Sequence, residues 1–254
     1  AGYIYSGFTA AHAHQVLAGT SFSKVILMGP DHHVGFADAA VSDVEAYATP
    51  LGTVPLHADA RRLRAGSALF RSMPESDRSE HCLEVVLPFL QTDLPAMALV
   101  PIVVGRCDPE AIGRALAPLI DGDTLGDTLV VVSADLSHYL PYEDAKARDQ
   151  ATIQAVLALD AGPLLSDDNR SCGRYPLAVL LGLARRFQWR PALLNYTNSG
   201  DTAGDRAAVV GYAAIAFYGE SDMPSNPSSL TPEQGRALAQ IMGAMGPSSA
   251  VTTS

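Results

Sequence analysis

Four short stretches carry side chains able to bind a metal or move a proton. Asp31, His32 and His33 follow the apolar run of residues 25–28 and the break Gly29-Pro30. Asp135 and His138 follow a second apolar run, TLVVV, at residues 128–132. Glu80, His81 and Glu84 lie in SEHCLEVVLPFLQ, residues 79–91, and Cys172 stands just before Gly173 and Arg174. Imidazole titrates near neutrality, so it serves as acid, base or metal ligand. A carboxylate beside it fixes its tautomer and raises its basicity. A thiol near a helix start and next to an arginine has its thiolate favoured, which suits metal ligation or reactivity. Each stretch has a plainer reading as well: solvated loop histidines, acidic residues at a helix start, a small cysteine in a core. Spacing alone leaves both open.

The elements around these stretches explain how they would be positioned. Residues 25–28, 99–105 and 128–132 are short, β-branched and apolar throughout, which reads as strands buried on both faces of a parallel sheet. Ligands in open α/β sheets bind beyond the carboxyl ends of such strands. Residues 31–33 and 135–138 both stand there, and parallel strands deliver their carboxyl ends to one rim. Helical spacing predicts helices over 8–17, 59–70, 79–91 (capped by Ser79), 109–120, 142–160 and 175–187, with a short one in 163–169. Two closing strands are expected at 190–196 and 208–217. In a helix over 79–91, Glu80 with Glu84 and His81 with Glu84 would share a face, and Asp135 and His138 are spaced to meet on one turn. His12 and His14, two apart, face different ways and read as surface or packing residues; His57 has no assigned role. The fold class is α/β, with a mostly parallel central sheet flanked by helices.

Composition narrows the partners. The chain of 254 residues carries 17 Lys and Arg against 27 Asp and Glu, a net charge of −10. No basic cluster tracks phosphates, so neither nucleic acid nor an anionic membrane is an expected partner. Three cysteines argue against a disulfide framework and for a reducing, cytoplasmic setting. No apolar run approaches the roughly 18–20 residues of a membrane span, and no secretory signal precedes the first strand. The sequence opens at Ala1 without a methionine, and a truncated start is expected. Residues 1–219 are expected to form the main domain. Residues 220–229 read as a linker, and 230–242 as a helix with Pro232 at its first position. From Gly246 onward the chain is low in complexity.

AGYIYSG, MGPDHHV, TPLG, EHCLEVVLPFL, SADLSHY and CGRYP, in this order, resemble the MEMO family, also called AmmeMemoRadiSam system protein B. The resemblance runs from Ala1 to about Phe217 and implies the fold of the class III extradiol dioxygenases. It implies a metal site of two histidines and a cysteine. The first histidine belongs to a PHAGY motif and would stand just before Ala1; the second maps onto His32 and the cysteine onto Cys172. Iron(II) is the implied ion, with copper or zinc as alternatives. Asp135 and His138 match further pocket residues of the family, and Glu80 and His81 match its EH pair. Catalytic roles are thus implied for His138, Asp135 and His81, and substrate contacts for His33, Glu80, Arg174 and Tyr3. Where the family has serine or another small residue, this chain has Asp31, which would supply an oxygen ligand or hold a water.

Three functions follow from the resemblance. One is a metal-binding protein with redox or oxygen chemistry. Another is a dioxygenase on a small aromatic substrate, with His138 taking the catechol proton. The third is a non-catalytic module that binds peptide or protein. Thiolate in place of the dioxygenases' carboxylate is a softer ligand, which argues against ordinary ring cleavage. The expected partners are a small-molecule or peptide ligand, and AMMECR-type and radical SAM proteins of the same system. Residues 230–242 are similar to the opening helix of an AMMECR-type domain, so the natural chain is expected to continue into a second domain.

Overall fold

The computed structural model describes residues 2–121 and 127–219. Expectations for the linker, the tail helix and the low-complexity end therefore lie outside the described residues. The elements run α1 (Tyr3–Gln15), β1 (Lys24–Pro30), β2 (Ala39–Val41), β3 (Ala46–Thr49), β4 (Gly52–Pro55), α2 (Ala58–Gly66), β5 (Phe70–Arg71), α3 (Pro74–Ser79), α4 (Leu87–Asp93), β6 (Ala98–Val104), α5 (Pro109–Asp121) and β7 (Thr128–Val132). They continue with β8 (His138–Leu140), α6 (Tyr142–Leu157), α7 (Gly162–Ser166), α8 (Arg174–Arg186), β9 (Arg190–Asn198), α9 (Ser199–Thr202) and β10 (Val209–Tyr218). Two compact units divide these: residues 19–133, and residues 2–18 with 134–219. Among the described residues no helix is long and apolar enough to cross a membrane.

The unit of residues 19–133 is built on a five-stranded sheet in the order β5-β2-β6-β1-β7. β1 is parallel to both β6 and β7, in register from Lys24 to Met28, so the carboxyl ends of β1 and β7 share one edge. Val25, Ile26, Leu27 and Met28 are fully buried, each contributing roughly 1.5–3 kcal/mol of hydrophobic stabilisation. β2 is antiparallel to β6, which makes the sheet mostly rather than wholly parallel. β7 is only half-buried because it is the sheet's edge. A feature invisible to periodicity sits at the start of β1. Buried Lys24 donates to the Asp59 carboxylate at 3.2 Å and to the Leu119 carbonyl at 2.8 Å, so its charge is paired rather than stranded. His57 caps α2 by accepting the Asp59 N–H.

The other unit packs α1, α6, α8 and shorter helices with a three-stranded antiparallel sheet, order β8-β10-β9. The two closing strands thus form a sheet of their own. Their apolar residues meet those of the helices: Val156, Leu164 and Leu181 form one buried cluster, and Leu194, Ala214 and Ala216 another.

Local chemistry moves several boundaries. α1 starts at Tyr3, not Phe8, because the Gly2 carbonyl accepts the Tyr5 and Ser6 N–H groups. His12 is a packing residue, its Nδ1 2.9 Å from the Phe8 carbonyl and its ring edge-on to Phe8. α2 stops at Gly66, and Phe70 and Arg71 pair with β2 instead of extending the helix. The helix expected over 79–91 is two helices with an irregular turn between them. Ser79 ends α3 rather than capping a helix, and Pro88 sits in the first turn of α4. Glu80 between them is extended, so it does not share a helix face with Glu84.

Candidate metal centres

In the unit of residues 19–133 the histidines gather around one carboxylate. β1 ends at Pro30, and Asp31 folds the chain that follows. Its carboxylate accepts the backbone N–H groups of His33, Val34, Gly35 and Phe36 at 3.2, 3.0, 2.5 and 3.3 Å. Gly35, at φ +75°, supplies the left-handed residue this tight loop requires. Both oxygens of Asp31 are therefore committed to the loop, and its role is structural rather than that of an oxygen ligand.

Glu80 is buried and organises the rest. Its Oε2 accepts the His32 N–H at 2.9 Å, and its Oε1 accepts the His81 and Cys82 N–H groups at 2.9 and 3.1 Å. Oε1 also lies 3.0 Å from His32 Nδ1, a contact that makes Nδ1 the protonated nitrogen and Nε2 the lone-pair nitrogen. Burial pushes the Glu80 carboxyl up, but the His32 side chain and these backbone donors outweigh it and hold the value at about 2. Burial and the neighbouring His32 and His33 lower the His81 imidazole's basicity, although Glu80 opposes them. The rings of His32 and His81 stack at 5.6 Å between centroids, and His33 lies 6.2 and 6.0 Å from them. Two donor groups result, His33–Glu80–His81 and His32–Glu80–Cys82, each with ligand atoms within 4.8 Å of one another. Cys82 is less available: it is buried, with Sγ 3.4 Å from the Pro30 carbonyl, and it packs on Gly29.

In the other unit the segment 135–138 is pinned from both sides. Leu136 N–H donates to the Gly211 carbonyl at 2.9 Å, and Gly211 N–H to the Ser137 carbonyl at 3.0 Å. Ser137 N–H donates to Asp149, a fully buried carboxylate on α6, at 3.0 Å. Asp149 also accepts the Tyr196 hydroxyl at 2.8 Å, and burial pushes its carboxyl up. These anchors fix what the segment presents. His138 Nδ1 lies 2.9 Å from the Leu136 carbonyl, so Nδ1 carries the proton and Nε2 the lone pair. That Nε2 is 4.0 Å from Asp135 Oδ2. Cys172 Sγ accepts the Asp135 N–H at 3.2 Å, and the ligand atoms of Asp135, His138 and Cys172 all lie within 4.8 Å of one another. Around a first-row ion with bonds of about 2.0–2.3 Å, tetrahedral donors stand roughly 3.3–3.7 Å apart. A closure of about an ångström would bring this N/O/S set there, and the residues fit a transition ion.

Asp135 and His138 thus meet as their spacing suggested, although His138 opens a strand rather than a helical turn. Cys172 joins them from the loop before α8. His32 and Cys172 belong to different units. Arg174 pairs with Asp168 and lies over the Tyr175 ring at 5.0 Å, while Tyr3 opens α1. Asp149 escaped the sequence reading. Its signal is a lone carboxylate at the centre of the stripe Ala145, Asp149, Ile153, spaced four apart on α6.

The chain matches the family model described as Memo-like protein over residues 1–216. It is 32% identical over 227 residues to a MEMO1 family protein of Sulfurisphaera tokodaii, covering 85% of this chain and 80% of that one. It is 36% identical over 228 residues to one of Methanosarcina barkeri, covering 85% and 83%. The fold is similar to the crystal structure of an uncharacterized protein from Escherichia coli K12, with a TM-score of 0.51 at 14% identity, over 80% of this chain and 91% of that one.

Proposed function

Because the chain belongs to the MEMO family, we propose that it is a metal-binding protein whose transition ion is held by Asp135, His138 and Cys172. The observation that carries this reading is the convergence of one carboxylate, one imidazole and one sulfur within 4.8 Å, with His138 fixed in its Nε2 tautomer. Iron(II) is the proposed ion and copper its competitor, since thiolate and imidazole together suit both. When bound, such an ion would supply one-electron or oxygen chemistry. The protein's own part is to hold the donors. The Asp135 N–H stabilises negative charge on Cys172 Sγ, and the Leu136 carbonyl keeps the His138 lone pair on Nε2. His32, the histidine ligand implied by the family resemblance, is oriented within its own unit by the Glu80 carboxylate at Nδ1.

A reducing, cytoplasmic setting is part of the proposal, because a ligating thiolate must stay reduced; none of the three cysteines is in a disulfide. The test is anaerobic loading of the full chain with iron(II), followed by desalting and elemental analysis. Cys172→Ser should lose the ion and Cys107→Ser should keep it. Burial pushes the Cys107 thiol up to about 12, so it is a poor ligand. Catechol-dependent oxygen uptake by the loaded protein would favour the dioxygenase reading instead.

A further inference from the structure

The histidine cluster of residues 19–133 has donors that the Cys172 centre does not use. We propose that His33, Glu80 and His81 form a second, solvent-facing site for an imidazole-preferring divalent cation such as Zn²⁺ or Co²⁺. The donors are two nitrogens and one oxygen, all within 4.8 Å of one another. The set is borderline-soft and neutral-plus-anionic, which suits Zn²⁺, Co²⁺ or Ni²⁺ better than Mg²⁺ or Ca²⁺.

Three features distinguish it from histidines that happen to be close. The backbone of each donor is fixed: Asp31 clamps residues 33–36, and Glu80 clamps residues 81 and 82. Glu80 retains acceptor capacity. A carboxylate has about four lone-pair sites, two on each oxygen; Oε1 takes three contacts, whereas Oε2 accepts only the His32 N–H. Finally, the imidazoles of His33 and His81 are exposed and can rotate, so closing the donor set to bonding distance needs no movement of the core. The alternative set, His32–Glu80–Cys82, is weaker because Cys82 is buried and packed under Gly29.

The site is exposed, so its ion should exchange readily, unlike one held by a thiolate. Titration of the full chain with Co²⁺ separates the two centres, because only thiolate ligation gives a sulfur-to-cobalt charge-transfer band. Cys172→Ser should lose that band yet still bind about one equivalent of Co²⁺ or Zn²⁺ by calorimetry. Adding His33→Ala and His81→Ala should weaken this remaining binding at least tenfold. Both substitutions are at exposed positions, and an unchanged circular dichroism spectrum checks the fold. Affinity within twofold of the Cys172→Ser parent, or no binding by that parent at all, would overturn the proposal. In this titration the charge-transfer band reports on the Cys172 centre and the residual calorimetric binding on the histidine site.

Discussion

Replacing Glu80 with glutamine removes one charge from the middle of the histidine cluster while keeping its volume. The native carboxylate accepts three backbone N–H groups, from His32, His81 and Cys82, and faces His32 Nδ1. An amide can present an oxygen at only one of the two positions. With that oxygen at Oε1, its NH₂ group meets the His32 N–H donor to donor. The folded value of about 2 lies below the ordinary 4.5. At 1.36 kcal/mol per pH unit this difference corresponds to about 3 kcal/mol, an upper figure for a buried carboxylate that also carries backbone hydrogen bonds. The folded pKa is depressed, so the stabilisation is fully present above the unfolded value of 4.5 and fades as pH falls toward 2. Urea unfolding at pH 6 should therefore show Glu80→Gln less stable by about 1.5–3 kcal/mol. At pH 3.5 the gap should narrow by roughly 1–1.5 kcal/mol, because the unfolded carboxyl is by then mostly protonated. A gap that stays constant, or widens, across that range would refute the reasoning.

Two further substitutions probe the supports of the sites. Asp149→Ala should cost about 2–4 kcal/mol by orphaning the buried Ser137 N–H and Tyr196 hydroxyl, whereas Asp149→Asn, which keeps partners for both, should cost under about 1. Equal losses in urea unfolding would mean that these hydrogen bonds are not what Asp149 contributes. Gly29→Ala should cost about 1–3 kcal/mol, since a Cβ there overlaps Cys82 Sγ and comes within 3.0 Å of Leu83. Adding Cys82→Ala should recover about half of the loss, and thermal melts of the single and double variants would read this.

How much of this was legible in the sequence depends on the kind of interaction. β1 and β6 were readable because strands buried in a parallel sheet are apolar along their length, and β7, half-buried at the edge, carries the same kind of apolar run. Asp135 and His138 were readable as neighbours because they are close in sequence. The segment 79–91 was misread because its apolar residues satisfy helical spacing, while Glu80 gains more by leaving the helix to bind three N–H groups. Propensity carries no record of such a tertiary competitor. For Asp31 the sequence suggested an oxygen ligand or a group that holds a water; what it did not show is that four backbone donors of the following loop bind its carboxylate. The placing of Cys172 beside Asp135 depends on a contact between residues 37 apart, which no local pattern encodes.

The central claim is that sulfur, imidazole and carboxylate from residues 135, 138 and 172 hold one transition ion. Elemental analysis after anaerobic iron(II) loading and desalting tests it most directly. The expected result is about one iron per chain in the unsubstituted protein and less than a tenth of that in Cys172→Ser. Equal iron in the two proteins, or none in either, would contradict it.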